Sequence, residues 1–467
     1  MLGQTRRIHF VGIGGIGMSG IAELLANLGY AVSGSDARRS DVTARLEQAF
    51  GVAVFEGHAA ANVGDADVVV VSSAVRASNP EIVAARQRGI PVIPRAEMLA
   101  ELMRLRFSIA VAGSHGKTST TSMIALVLER GGLDPTAVIG GRLSAFGSNA
   151  RLGLGKYMVA EADESDRSFL MLWPSIAVIT NIDNEHMESY GSLTDLREAF
   201  LEFANKVPFY GAAIACVEDQ NLAEILPRVR RPVVTYGLEH PTAQIVGTDI
   251  ELGSFGGRCQ VHRRTPAAVE RLGQLELTVP GRHNLQNALA AVAVGERIGL
   301  DFAIVAKALA GFHGAERRFE RHGEVHGVMV VDDYGHHPTE IAAVIAAARA
   351  TLGRRLVIAF QPHRHSRTAH LLGAFGPSLV GADEIVLTDI YAAGEEPIPG
   401  ITVEELAASI RASTGGPVHL VKSLDEVVPE LLKILRPGDA VITLGAGSIG
   451  TLPKKLVQAL EQRGGVH

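Results

Sequence analysis

The stretch FSIAVAGSHGKTSTTSMIALVL, residues 107–128, leaves the backbone few choices. Residues 107–112 form a short, nearly continuous apolar run, as in a strand covered on both faces. Glycines at 113 and 116 follow, and from Lys117 the pattern turns helical. A strand that passes through a tight glycine loop into a helix returns by a crossover, so the chain must build a parallel α/β sheet. The loop also has a chemistry. Its backbone N–H groups converge on phosphate oxygens, and the helix N-terminus adds partial positive charge. Gly113, Ser114, His115, Gly116, Lys117, Thr118 and Ser119 make up this phosphate-facing segment. The Lys117 ammonium is expected at the β- and γ-phosphates and the Thr118 hydroxyl on Mg2+. One departure stands out. The common pattern wants glycine at 111, where Val111 stands, and the spacing here is G-x-x-G-K-T. The plainer reading is a surface helix start with a solvated lysine.

Elsewhere short β-rich runs alternate with longer amphipathic segments, which again argues for α/β with largely parallel sheets. Strands are expected near 7–12, 30–34, 67–72, 91–93, 157–161, 175–180, 211–216, 232–236, 328–332, 355–360, 384–388 and 439–444. Helices are expected near 17–28, 40–49 and 79–88, in RAEMLAELMRLR and in GRHNLQNALAAVAVGERIG, while 245–280 reads as short antiparallel strands. At roughly 150 residues per domain, 467 residues suggest about three domains. Their expected bounds are 1–106, 107–311 and 312–467, the second boundary falling in the Gly-, His- and Arg-rich GFHGAERRFERHGEVHG.

The formal net charge of −6 gives no bulk pull toward nucleic acid. The two cysteines have neither C-x-x-C nor zinc-like spacing, so a reducing cytoplasm is the simplest home. No stretch approaches 18 consecutive apolar residues, and no membrane span is expected. RIHFVGIGGIGMSG places Gly12, Gly14 and Gly17 in the dinucleotide-binding pattern, with Asp36 where an acid would hold a ribose. VITLGAGSIG repeats that pattern at Gly445, Gly447 and Gly450. Two matches in one chain weaken each, because any strand-to-helix turn favours glycine.

Polar residues cluster after several of the expected strands, where α/β active sites form. EADESDRSFL carries Glu161, and TNIDNEHMESYGS carries His186; both fall beside the phosphate loop as metal candidates, the carboxylate being the better ligand for hard Mg2+. Tyr334, His336 and His337 share one late loop; His363, Arg364, His365 and Arg367 share the next. Arginines at strand ends suit bidentate binding of a carboxylate. A zinc cluster is the rival reading, but no spacing completes a tetrahedral site.

Taken in order, GIGGIGMSGIAE, GSHGKTSTTSM, EADESDRSFL, NIDNEHMESYG, GRHNLQNALAA, ERRFE, DDYGHHPTEI, FQPHRHSRT and GAGSIGT closely resemble the Mur ligase family over nearly the whole chain. The resemblance implies a Rossmann-like first domain for a UDP-sugar, a central P-loop domain for ATP, and a Rossmann-like last domain that brings in the amino acid. It points to the branch that joins L-alanine to UDP-N-acetylmuramate, with ATP and Mg2+, at the start of peptidoglycan stem-peptide assembly. Carried over residue by residue, Lys117 and Thr118 match the phosphate and Mg2+ positions, and Glu161 and His186 the metal-linked ones. His283, Asn284 and Asn287 match the adenine segment, while Arg318 and Asp333 lie where the last domain approaches the nucleotide. Tyr334, His363, Arg364 and Arg367 match positions around the incoming alanine. Gly14, Gly15, Ser35, Asp36, His58 and Ser72 are the implied UDP-sugar contacts. Several family members use a carbamylated lysine for a second metal; here LTDLREAFLEFANK offers only Lys206, at its far end.

The implied reaction activates a carboxylate as an acyl phosphate, then lets an amine attack it. A histidine of ordinary pKa, about 6.5, would serve to take the amine's proton, with His336 and His337 as candidates. Within the family the alternative is the ligase that attaches an intact tripeptide; outside it, an NAD-dependent oxidoreductase. Monomer and homodimer are equally open.

Overall fold

The computed structural model describes residues 2–463 apart from Ser73, residues 144–147, His186, residues 254–255 and residues 315–316. Three sheets organise the chain. In the first, Ala53–Glu56, Ala31–Asp36, Arg7–Val11, Val68–Val71 and Val92–Pro94 lie side by side in that order, all parallel. The order reverses at Arg7–Val11, so the glycine turn that follows it opens into the switch-point crevice where ligands of such sheets bind.

The second sheet has ten strands. At its centre Phe107–Ala112 lies between Tyr157–Glu161 and Ile176–Ile179, parallel to both. Here too the order reverses, which puts the end of Phe107–Ala112 at the switch point. Thr136–Leu143 and Ser148–Arg151 close one edge as an antiparallel pair. On the other side come Ala212–Cys216, Val233–Leu238 and three nine-residue strands, Ile245–Gly253, Gly256–Arg264 and Val269–Leu277; the first of these pairs in parallel with Val233–Leu238. Val111 is fully buried within the central strand, opposite Glu161 and Val178. The turn therefore begins only at Gly113, and a glycine at 111 would have no turn to serve.

The third sheet runs Glu320–Val325, Val328–Asp333, Asp439–Leu444, Arg355–Phe360, Glu384–Thr388 and Val418–Val421, parallel except for its first hairpin. Alternate residues feed two cores. Val331, Ile358 and Ile442 pack with Ile345, Phe375 and Leu406, whereas Val330, Val357 and Val441 pack with Val427, Leu431 and Leu456. A sheet buried on both faces leaves its strand ends as the place for chemistry.

The chain divides into two compact units: Met1–Asp249 with Cys259–Leu275 and Leu285–Phe312, and Ile250–Arg258 with Glu276–Asn284 and His313–His467. Among the described residues no helix is long and apolar enough to cross a membrane. Both cysteines are buried, and that burial pushes each thiol up to about 12, as inert structural thiols require.

Candidate active site

The phosphate loop is held open by contacts that exclude side chains. Gly113 has φ +138°, and a Cβ there would lie 2.0 Å from Thr180 Oγ1. Gly116 has φ +81°, and its Cβ would lie 2.7 Å from Asn287 Oδ1. Asn181 secures the loop from the neighbouring strand end: its carbonyl accepts from Ser114 N at 3.1 Å and its Oδ1 from His115 N at 2.8 Å. The His115 ring reaches Asp183 at 2.9 Å. Asn287 thus braces the loop itself.

Two carboxylates of EADES face the loop. Lys117 Nζ donates to Gly113 O at 2.6 Å, Ser114 O at 3.2 Å and Glu164 Oε1 at 2.7 Å. Thr118 Oγ1 donates to Glu161 Oε2 at 3.0 Å. Burial works against the Lys117 charge, yet Glu164, Glu161 and Asp163 together raise its pKa. Burial pushes Glu164 up to about 8 against the pull of Lys117. The glycine cradle, the ammonium and the paired oxygen donors of Thr118 and Glu161 fit a nucleotide phosphate with a hard cation. Glu164 was missed from sequence, where the acidic run reads as a solvated turn around Glu161. His186 lies outside the described residues. Lys206 is engaged elsewhere, 3.1 Å from Glu202 and over the Trp173 ring at 4.6 Å.

In the first sheet, Gly12 and Ile13 donate N–H bonds to the Ser35 carbonyl at 2.9 and 3.0 Å, and Gly14 N donates to Asp36 Oδ2 at 2.8 Å. Gly15 N-caps the helix Ile16–Asn27. Ser72 N donates back to Val11 O. The Ser35 side chain differs from expectation. It is fully buried and hydrogen-bonded to Glu81 and His58, so its hydroxyl is engaged within the protein. A Cβ on Gly17 would lie 3.0 Å from Arg95 Nη1, and Arg95 Nη2 is 3.6 Å from Asp163.

In the second unit, three adjacent strand ends carry polar loops. Asp333 is buried and accepts from Phe319 N and Gly335 N at 2.8 and 2.7 Å; burial pushes it up to about 6, against Arg318. Arg318 donates to Glu340, and its guanidinium lies 5.4 Å from the Tyr334 ring centre. Asn284 turns inward, its Nδ2 donating to Pro280 O at 2.7 Å. Burial, with Arg318 nearby, pushes His283 down to about 4.

The two base candidates separate. His337 N-caps the helix Pro338–Leu352, its Nδ1 accepting from Thr339 N. His336 donates from Nδ1 to Tyr334 O at 3.1 Å, and burial pushes its pKa down to about 3 rather than leaving it near 6.5. It is a neutral acceptor and a weak base. His336 also meets the Tyr334 and His363 rings edge-on, and His363 stacks on Tyr391. Arg367 donates to His363 Nδ1, and burial lowers His363 to about 4. Arg364 sits at φ +72°, ψ 138°, a region normally left to glycine, with its N–H on Tyr391 O. The second glycine run has a packing cause: a Cβ on Gly447 would strike Gln361 and Tyr391, and one on Gly450 would lie 2.3 Å from Arg317 Cζ. Arg317, Gln361 and Tyr391 were not expected from the sequence.

Family models match three successive segments: the Mur ligase family catalytic domain at residues 7–107, the middle domain at 111–295, and the glutamate ligase domain at 317–447. This chain is a Mur ligase. A UDP-N-acetylmuramate–L-alanine ligase of Geobacter sp. (strain M21) is 52% identical over 99% of both chains, and one of Myxococcus xanthus is 53% identical over 98% of this chain and 96% of its own. Among solved structures, UDP-N-acetylmuramate-alanine ligase from Thermotoga maritima superposes with TM-score 0.82 at 31% identity, over 98% of this chain and 99% of that one. A murein peptide ligase from Psychrobacter arcticus gives 0.71 at 26%, over 97% and 98%. Mur ligases are α/β enzymes of three domains, and the three sheets here accord with that plan.

Proposed function

We propose that this Mur ligase joins L-alanine to the lactyl carboxylate of UDP-N-acetylmuramate, with ATP converted to ADP and phosphate, in the first step of stem-peptide assembly. The observation that carries this reading is the Lys117–Glu164 and Thr118–Glu161 pairing in a glycine cradle, within a chain 52% identical end to end to L-alanine ligases. The domains divide the work as 1–106 for the UDP-sugar, 107–311 for ATP and 312–467 for alanine, in the cytoplasm.

A carboxylate resists attack by an amine, because it is anionic and its oxygen leaves badly. Phosphoryl transfer onto that oxygen gives an acyl phosphate; alanine's amine then adds to the carbonyl carbon, and phosphate departs with the C–O bond electrons. Lys117 leaves Glu164 to meet the phosphates, while the loop N–H groups fix their position. Thr118 and Glu161 would hold Mg2+, which offsets charge on the transferring group. His283, Asn284, Asn287, Arg318 and Asp333 serve the nucleotide; Tyr334, His363, Arg364 and Arg367 serve alanine, Arg364 and Arg367 as partners for its carboxylate. His336 presents a neutral ring beside them. Attachment of a tripeptide is the second reading, supported by the likeness to the murein peptide ligase fold.

Phosphate release is measured with ATP and UDP-N-acetylmuramate, adding L-alanine or L-alanyl-γ-D-glutamyl-diaminopimelate. Release that depends on L-alanine is expected. Preference for the tripeptide overturns the reading.

A further inference from the structure

Glu81 lies in the first turn of the helix Pro80–Gln87, where an acidic residue is ordinarily solvated, yet it is 0% exposed. Its carboxylate is surrounded by donors. Asn62 Nδ2 and Ala59 N donate to Oε1 at 2.6 and 3.4 Å, and Ser35 Oγ donates to Oε2 at 2.5 Å. His58 Nδ1 is 3.2 Å from Oε2 and 3.0 Å from Ser35 Oγ; the buried His9 ring lies 3.8 Å from Oε1. Taking a carboxylate out of water carries a desolvation cost that these donors must offset, whereas an apolar residue in this place would carry none. This one has a consequence for its neighbour.

The Ser35 hydroxyl proton goes to Glu81, so toward His58 the Ser35 oxygen acts as an acceptor. The carboxylate is an acceptor as well. Both partners of His58 Nδ1 therefore demand a proton on that nitrogen, and the neutral ring carries its lone pair on Nε2. The His58 side chain is 26% exposed. It follows Gly57, whose N–H bonds Asp36 O at 2.7 Å, so it stands at the strand ends beside the Asp36–Gly14 contact. We infer that Glu81 is a positioning residue that fixes His58 Nε2 as a hydrogen-bond acceptor for a donor on the sugar nucleotide. That donor is a ribose hydroxyl or the base N–H. The inference rests on the sugar-nucleotide reading of the first domain.

Glu81→Gln tests it at constant shape. The glutamine oxygen takes the Oε1 place, facing Asn62 and Ala59, and its NH2 takes the Oε2 place, facing His58. Nδ1 then becomes the acceptor, and Nε2 carries the proton. Two-bond 1H–15N spectra of histidine-labelled full-length protein should show His58 protonated on Nδ1 in the wild type and on Nε2 in E81Q. Calorimetry with UDP should show E81Q binding weakened on the order of 10-fold, as a donor faces a donor. The analogue that lacks the recognised donor, 2′-deoxy-UDP or N3-methyl-UDP, should bind wild type and E81Q alike. An Nε2-protonated His58 in the wild type, or E81Q with a switched ring and unchanged UDP affinity, overturns the inference. A wild type that binds NAD and not UDP overturns instead the sugar-nucleotide reading on which it rests.

Discussion

Replacing Lys117 by methionine separates the lysine's two roles. In the structure its ammonium contacts two loop carbonyls and Glu164, whose side chain is 1% exposed. Glu164 titrates at about 8 when folded, above its ordinary 4.5. The folded state therefore binds this proton more tightly than the unfolded one, and the group's contribution to stability falls as pH rises from about 4.5 to 8. Lys117 stays cationic across that range, its own pKa being raised. Without Lys117, Glu164 loses its cation and its folded pKa moves higher still. As pH falls, protonation of the acid weakens the pair in the wild type as well, so K117M should cost less at low pH than at high pH. Above pH 8 the wild type gains a paired carboxylate and the variant does not. The difference in unfolding free energy should then widen by about 1.4 kcal/mol per pH unit, up to about 3–5 kcal/mol for a broken buried pair. Urea denaturation of both proteins at pH 6, 8 and 9 measures it. Substrate-dependent ADP formation should fall by about 10²–10³-fold throughout. A stability difference independent of pH, or retained ADP formation, refutes the reasoning.

Gly113→Ala places a Cβ 2.0 Å from Thr180 Oγ1 at φ +138°, and should cost at least about 2 kcal/mol along with ATP affinity; unchanged melting and nucleotide binding would contradict the cradle. Arg364→Gly relieves a backbone at φ +72° and should raise stability by about 1 kcal/mol, while alanine-dependent turnover drops; loss of stability would show that the guanidinium, not the turn, sustains the loop.

The phosphate loop was legible because its strand, glycines and helix occur in one continuous segment. Central strands were equally plain, being apolar runs such as residues 355–360 and 439–444. Most of the strands missed, Ala53–Glu56, Ser148–Arg151, Glu320–Val325 and Val418–Val421, are short edge strands of mixed polarity, while Thr136–Leu143 is an interior strand whose apolar run is interrupted by Gly140 and Gly141. Edges are half solvated, so they lack the apolar signal that marks a buried strand. Glu81 was invisible for a different reason. After Asn79 and Pro80 it reads as an ordinary first-turn acid, and only the tertiary contacts of His58, Asn62 and Ser35 reveal its burial. Glu164 was hidden likewise, since one acidic run gives no sign of which carboxylate faces inward. His336 shows the limit for titration: its sequence neighbours suggest an ordinary ring, and burial by distant elements sets its value.

Gly113 rests against Thr180, Gly116 against Asn287, and the His115 amide on Asn181. The shape of a seven-residue segment is thus specified by side chains about 65 and 170 positions away. GSHGKTS transplanted onto another strand and helix would carry the letters and leave behind the mould. The portable unit is the strand triplet with the helix that bears Asn287, and the intervening chain is free to change length so long as those four pieces still meet.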